Sequence, residues 1–383
     1  MVERKHYLSR LKTLIAQNRV VAIIGARQVG KTQLAKAYCE SQKKEVHYYD
    51  LEDPEDLARL QDPMLALKPL KGLVVIDEVQ RKKDLFPILR VLADRPRSPA
   101  KFLLLGSASP ELIQHSSETL AGRIFYFEMS GFDVGEIGIR HYEKLWLRGG
   151  FPRSYLAKTN TQSFEWRNSF IKTFLEQDIP QLGIQTRAAT LRRFWNMLAH
   201  YHGQTLNFSE LGRAFGVSDT TIRYYLDQLS SALVVNQLLP WHENISKRQV
   251  KAPKVYISDS GILHSLLNVE NKKDLEGHPK IGASWEGFVM NEVIRIMNAR
   301  QENTYFWATH SGAELDLLIM KGRSRIGFEI KRTSSPKLTP SMKSAVTDLK
   351  LNKLYVVHGG EKAFSLDKKV QALPFEEVLN KKL

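Results

Sequence analysis

One stretch near the amino terminus has the residue types and spacing of a phosphate-binding loop. Residues 25–32 read G-A-R-Q-V-G-K-T and fit the pattern G-x4-G-K-[ST]. Glycines let the backbone curl so that its N–H groups point at phosphate oxygens, and a following helix adds a favourable field. We expect Lys31, as an exposed loop lysine, to reach the β- and γ-phosphates and Thr32 to bind Mg²⁺. The nucleotide-binding residues predicted here are Gly25, Ala26, Arg27, Gln28, Val29, Gly30, Lys31 and Thr32.

Residues at the ends of two later strands, and one arginine, are further candidates for binding phosphate and magnesium or for activating water. The apolar run 72–76 ends in Asp77, placed to hold the magnesium shell, and Glu78, placed to polarise a water for in-line attack. Ser107 lies at the end of another strand. It is a candidate to position the water or to contact the γ-phosphate, and the alternative is that it belongs to a simple turn. Arg123 either reaches the γ-phosphate, from this chain or a neighbouring subunit, or is a surface residue.

These residues need a parallel sheet with crossover helices to bring them together. Residues 1–130 alternate short apolar strands with amphipathic helices, which is typical of that architecture. The predicted strands are Arg19–Gly25, Glu45–Asp50, Leu73–Asp77, Lys101–Gly106 and Arg123–Met129.

The order G-A-R-Q-V-G-K-T, D-E-V-Q, G-S-A-S and L-A-G-R resembles that of AAA-type ATPases (AAA+) of bacteria and archaea. More narrowly, it resembles the prokaryotic subgroup whose C-terminal half is a domain of unknown function. The resemblance implies ATP and Mg²⁺ as cofactors, with strand Lys101–Gly106 inserted between the loop strand and the Asp77 strand. It also implies a helical lid, here 131–185, and a homo-oligomer, with a hexameric ring as one arrangement. An arginine acting across subunits is then expected, and Arg123 matches best, with Arg140, Arg148 and Arg153 as alternatives.

Residues 208–226 are predicted to form two helices joined by a tight turn at Gly216. Ser209 and Ser218 are the expected N-caps, and residues 233–239 with 254–257 are expected to form a wing hairpin. Such a winged helix-turn-helix binds either DNA or a protein. The predicted DNA-binding residues are Thr220, Thr221, Arg223 and Tyr224.

The C-terminal part places carboxylates and a lysine on one predicted sheet face. Residues two apart in a strand share a face, so a hairpin of 314–320 with 325–332 brings Asp316 beside Glu329 and Lys331. This set is a candidate site for one or two Mg²⁺ ions, or else a buried stabilising network. Glu286 is expected to complete the shell, with Glu292 as its rival.

Asp316 with Glu329-Ile330-Lys331, in the order helix, three strands, helix, strand, resembles the restriction-endonuclease-like superfamily of metal-dependent nucleases. The segment from Lys251 to Gly261 also resembles the AAA-type subgroup. Lys251 and Lys254 are interpreted as residues of a solvated loop, with contact to a backbone phosphate as the alternative.

The net charge, the cysteine content and the apolar runs restrict the partners and the cellular compartment expected for this protein. The 383 residues carry a net charge of +15, of which +9 lies after Gln185, and a basic surface favours polyanions such as nucleic acid. Cys39 is the single cysteine, which excludes an intrachain disulfide and favours a reducing cytoplasm. No apolar run is long enough to span a membrane, so no membrane association is expected.

The predicted fold class is therefore α/β, with four segments. These are a P-loop NTPase core over 1–130, a helical lid over 131–185, a winged helix-turn-helix over 186–255 and a restriction-endonuclease-like α/β domain over 256–383. The hypothesis is an ATPase that couples hydrolysis to action on duplex or branched DNA. Two alternatives stay open: an ATP-driven switch that binds a protein partner and has an inactive nuclease-like domain, and an ATP-gated metal-dependent nuclease.

Overall fold

The computed structural model describes residues 2–43, 45–96, 99–107, 119–181 and 185–379. The chain divides into two compact units. The first comprises Met1–Phe132, Glu176–Gln185 and Ser231–Leu233. The second comprises Asp133–Leu175, Thr186–Ser230 and Val234–Leu383. Among the described residues, no helix is both long and apolar enough to cross a membrane.

The elements are numbered along the chain. The strands are β1 (Val20–Gly25), β2 (Val46–Asp50), β3 (Gly72–Asp77), β4 (Ala100–Ser107), β5 (Ile124–Glu128), β6 (Gln204–Thr205), β7 (Val235–Pro240), β8 (Lys254–Ile257), β9 (Thr304–Ala308), β10 (Glu314–Lys321), β11 (Ser324–Lys331), β12 (Lys353–His358), β13 (Phe364–Asp367) and β14 (Val370–Pro374).

The helices are α1 (Lys5–Gln17), α2 (Lys31–Glu40), α3 (Pro54–Arg59), α4 (Pro63–Leu67), α5 (Leu85–Ala93), α6 (Val134–Ile137), α7 (Tyr142–Arg148), α8 (Pro152–Tyr155), α9 (Asn160–Thr173), α10 (Ile179–Gln181), α11 (Ala188–His200), α12 (Phe208–Phe215), α13 (Asp219–Ser231), α14 (Ser260–Leu266), α15 (Lys272–Gly277), α16 (Ile281–Ile296), α17 (Pro340–Asp348) and α18 (Phe375–Val378). A π-helical turn, Phe174–Asp178, lies between α9 and α10.

The first unit is built on a parallel sheet with the order β2-β3-β4-β1-β5 among the described residues. The predicted strands are confirmed, and so is the predicted insertion of β4 between β1 and β3. All six residues of β1 are buried, because helices cover both faces of a parallel sheet. The carboxyl ends of β1, β3 and β4 therefore lie at one edge, where the candidate side chains follow them.

The second unit contains a sheet with the order β13-β14-β12-β11-β10-β9-β7-β8-β6 among the described residues. The predicted hairpin is β10 with β11, paired antiparallel from Leu317 opposite Phe328 to Lys321 opposite Ser324. The predicted pairing of β7 with β8 is also present. However, β7 pairs in parallel with β9, so one sheet continues from the helix-turn-helix segment into the C-terminal strands. The domain boundary predicted between residues 255 and 256 thus falls inside β8.

Buried polar contacts join residues 133–175 to the C-terminal part of the same unit. Arg167, which is fully buried, donates hydrogen bonds to the carbonyls of Leu147 and Gly261. The Glu292 carboxylate accepts from the backbone N–H of Val134 at 2.9 Å. A Cβ at Gly261 would lie 2.1 Å from the carbonyl oxygen of Arg148, so the close approach of α14 to α7 requires glycine. The segment predicted as a lid therefore groups with the second unit up to residue 175, rather than standing alone.

Candidate functional site

The backbone between β1 and α2 forms a tight loop at the edge of the parallel sheet. Gly30 has a φ of 100° and Gln28 a φ of 65°, both in the left-handed region. A Cβ at Gly25 would lie 2.3 Å from the carbonyl oxygen of Met129, so only glycine fits there. The first turn of α2 begins at Lys31 and leaves N–H groups without intrahelical partners, which is the arrangement that binds phosphate.

The Lys31 ammonium points back onto this loop. It donates to the carbonyl oxygens of Gly25 and Ala26, both at 3.1 Å. Lys31 is only 6% exposed, so the expectation of an exposed lysine is wrong. Burial lowers the pKa of Lys31, an effect opposed by the nearby carboxylates of Glu78 and Asp77. A partly desolvated ammonium beside the loop is suited to bind the oxygens of a polyphosphate.

Asp77 and Thr32 form a pair of oxygen donors next to Lys31. The Thr32 hydroxyl donates to Asp77 Oδ2 at 2.8 Å, and the Tyr48 hydroxyl donates to the same oxygen at 2.7 Å. A hydroxyl and a carboxylate in contact are ligands that suit Mg²⁺, so the residues present fit the implied ion. Sequence reasoning missed Tyr48, although its position on β2, beside β3, could have indicated it. Burial, and then the charge of Asp77, raise the pKa of Tyr48 far above its ordinary value, so it remains a donor.

Glu78 has an unusual backbone and a perturbed carboxyl group. Its φ is 54°, in the left-handed region, although it is not a glycine. Such strain concentrates at functional sites. Burial raises the pKa of Glu78, whereas Lys31 and a hydrogen bond donated by Gln80 lower it. A carboxylate with a raised pKa is better suited to accept a proton from water near neutral pH.

The remaining predicted residues of the first unit have defined partners. Ser107 lies opposite Gly25 in the pairing of β4 with β1, which places it beside the loop. Arg123 donates to Asp94 at 2.6 Å and to the carbonyl of Ala121 at 2.8 Å. Its role toward a γ-phosphate stays a prediction.

Arg27 within the loop has a partner that the sequence did not reveal. Its guanidinium pairs with Asp178, at the end of the π-helical turn, and lies 3.4 Å from Glu52. Asp178 is 5% exposed, and burial raises its pKa while Arg27 lowers it. Arg27 therefore joins the loop to Asp178 of the same unit, close to the point where the chain passes from the second unit to the first.

Comparison with known proteins adds to this geometry. The chain is 48% identical over 379 residues to the uncharacterized proteins Mb2031c of Mycobacterium bovis and Rv2008c of Mycobacterium tuberculosis, covering 99% of this chain and 85% of each relative. Residues 17–138 match the family described as an AAA domain. The chain belongs to the family of these mycobacterial proteins, as an AAA-type ATPase with a C-terminal domain of unknown function. Residues 139–273 and 281–378 match two families described as domains of unknown function, DUF8612 and DUF4143.

Similar solved structures are more distant. The Walker-type ATPase PABY2304 of Pyrococcus abyssi is 15% identical, with a TM-score of 0.46 over 70% of this chain and 96% of that chain. The RuvB Holliday junction branch migration motor of Thermotoga maritima is 16% identical, with a TM-score of 0.32 over the same shares. The family assignment stands on the mycobacterial relatives and the AAA-domain match.

The two helices predicted at residues 208–226 are present as α12 and α13 in this AAA-type protein. Ser218 caps α13 as expected, since its hydroxyl accepts from the N–H of Thr221 at 3.2 Å. The N-cap of α12 is Asn207 rather than Ser209, whose hydroxyl instead donates to Asp219. Thr220, Arg223 and Tyr224 are exposed, whereas Thr221 is half-buried. The Arg223 guanidinium lies 3.7 Å from the centroid of the Phe208 ring, which holds it at the surface of the helix pair.

The second unit also gathers the predicted carboxylates. The Asp316 carboxylate accepts from the backbone N–H of Ile330 at 2.8 Å, which places it beside Glu329 as expected. Glu286 joins this cluster and Glu292 does not, because Glu292 bonds to Val134 and Arg295. Among the described residues, however, no group of three or more His, Cys, Asp or Glu side chains is arranged to hold a metal ion.

Lys254, which the sequence interpretation placed in a solvated loop, lies within this cluster. It lies on β8, is 3% exposed, and its ammonium is within ion-pair distance of Glu286, Glu314 and Asp316. An ammonium therefore lies among the carboxylates of the metal site predicted at Asp316, Glu329 and Glu286, and metal binding there stays a prediction.

Proposed function

We propose that this protein hydrolyses Mg·ATP in its first unit and couples the reaction to action on DNA, duplex or branched. The observation that carries the ATP half is the convergence of Lys31, Thr32, Asp77 and Glu78 at one edge of the parallel sheet. The loop N–H groups and Lys31 bind the phosphates, and Thr32 with Asp77 hold the metal. Bound Mg²⁺ supplies positive charge that neutralises the phosphate oxygens.

Glu78 orients the attacking water and accepts its proton. Its burial and raised pKa match that role, and Ser107, at the neighbouring strand end, contributes a hydroxyl to the same region. Lys31 exchanges its bonds with the carbonyls of Gly25 and Ala26 for bonds with phosphate. This exchange alters the hydrogen bonding of the loop, which Arg27 joins to Asp178.

The DNA half of the proposal is supported by the exposed face of α13. Arg223 and Tyr224, the latter 54% exposed, stand on the second helix of a helix-turn-helix, where groove-reading residues lie in DNA-binding proteins of this type. The net charge of +15 favours the same partner. We further propose a homo-oligomer in which Arg123 acts on the ATP of a neighbouring subunit.

We expect DNA to raise the ATP turnover of the wild-type protein, and Arg223→Gln to weaken DNA binding by about fivefold to tenfold. Turnover is measured without DNA and with single-stranded, duplex and four-way DNA, and affinity by fluorescence anisotropy at two salt concentrations. Arg300→Gln is the matched control, because Arg300 is an exposed arginine of the same unit with a side chain 78% exposed. If DNA neither binds at moderate salt nor changes the ATP turnover, the proposed action on DNA is wrong.

A second candidate function is favoured by the position of Lys254. An ATPase with an inactive nuclease-like domain would act as a switch that binds a protein partner through α12 and α13. An ATP-gated nuclease would instead need the carboxylate cluster to hold metal, and Lys254 lies among those carboxylates.

A further inference from the structure

The carboxylate cluster of the second unit is built from three elements. Glu286 comes from α16, Glu314 and Asp316 from β10, and Glu329 from β11. Lys254 reaches into this group from β8. Its Nζ lies 3.7 Å from Glu286 Oε1 and 3.9 Å from Asp316 Oδ1, and it pairs directly with Glu314.

The neighbours of Lys254 fix its position. Tyr256 is two residues along β8, on the same face, and its hydroxyl donates to Glu286 Oε1 at 2.7 Å. The same oxygen therefore faces both Tyr256 and Lys254. On the other side of the cluster, Lys331 pairs with Glu329 at 2.8 Å.

Two ammonium groups lie against these carboxylates: Lys254 contacts Glu286, Glu314 and Asp316, whereas Lys331 contacts Glu329. Lys254 is 3% exposed, so its positive charge is buried together with the oxygens of the cluster. Glu329 Oε2 is buried without a hydrogen-bond partner among the described residues.

We infer that the Lys254 ammonium is the resident cation of this cluster and stands where a divalent metal ion such as Mg²⁺ or Mn²⁺ would otherwise bind. The wild-type second unit then has no divalent site that depends on Asp316. Removing the ammonium leaves a buried set of oxygen ligands that needs a new positive charge, which a hard divalent cation supplies. This inference concerns the second unit alone and does not depend on the ATP site.

The test is a calorimetric titration of nucleotide-free, full-length protein with Mn²⁺. Any Mn²⁺ binding by the wild-type protein should be the same in Asp316→Asn. The Lys254→Met variant should gain a site at least about tenfold tighter than any wild-type site, and the added Asp316→Asn substitution should abolish it. Lys331→Met is the control, because the Lys331 side chain is 43% exposed and forms an ion pair with Glu329, and this variant should create no site.

Two results would overturn the inference. One is wild-type Mn²⁺ binding, or Mn²⁺-dependent DNA cleavage, that Asp316→Asn removes. The other is a folded Lys254→Met variant that gains no Mn²⁺ site. If Lys254→Met does not fold, the comparison of wild type with Asp316→Asn decides the question alone.

Discussion

We expect Glu78→Gln to lower ATP turnover by about 10²- to 10⁴-fold and to leave Mg·ATP affinity within about threefold of the wild type. Glutamine has nearly the same shape as glutamate and occupies the same left-handed backbone conformation, with a φ of 54°. The substitution should therefore leave the backbone at this position unchanged. It removes the group that accepts the proton of the attacking water. Phosphate release at saturating Mg·ATP measures turnover, and calorimetry measures affinity.

Glu52→Gln is the matched control for this substitution. Glu52 lies 3.4 Å from Arg27, but its side chain is 51% exposed and it is not adjacent to Asp77. Turnover of Glu52→Gln should stay close to that of the wild type. A Glu78→Gln variant that keeps more than half of the wild-type turnover would show that another group activates the water.

We expect Arg167→Met to have the second large effect, on the stability of the second unit rather than on catalysis. Arg167 has no exposed surface and donates to the carbonyls of Ser163, Leu147 and Gly261. Methionine fills much of the volume but leaves these carbonyls without their donor. The free energy of unfolding of the second unit should fall by roughly 3–5 kcal/mol. Chemical denaturation followed by circular dichroism measures this change.

Arg153→Met provides the comparison, because Arg153 is exposed and lies in the same unit. Its effect on the free energy of unfolding should stay within about 0.5 kcal/mol. If Arg167→Met costs less than about 1 kcal/mol, residues 133–175 are not held to α14 by this guanidinium.

The sequence predicted the first unit well because its signals are local. A loop with fixed glycine spacing, an apolar strand before it and an acidic strand end all lie in short windows, and β1, β3 and β4 formed where expected. The contacts of Tyr48 with Asp77 and of Asp178 with Arg27 were missed, because each joins residues far apart in the chain.

The second unit shows why the other predictions were incomplete. The turn at Gly216 and the hairpin of β10 with β11 have clear local patterns, and both are present. No local pattern predicts that Lys254 is buried, since the nearby Pro253 and Lys251 are typical of a loop. Lys254 and Tyr256 lie two residues apart on β8 and so share a face, which could have indicated that Lys254 is buried. That inference required knowing that β8 is an interior strand of a larger sheet.

We propose that residues 25–32 bind the phosphates of ATP and that Lys31 is essential to that binding. The most direct measurement is a calorimetric titration of Mg·ATP into the wild-type protein and into Lys31→Ala, with circular dichroism confirming that both are folded. Since Lys31 donates its hydrogen bonds to the carbonyls of Gly25 and Ala26 in the loop itself, the variant should keep its fold. Binding to the wild type, with affinity reduced at least about tenfold in Lys31→Ala, is the predicted result. A folded wild-type protein that shows no affinity for Mg·ATP would show that residues 25–32 do not bind the nucleotide.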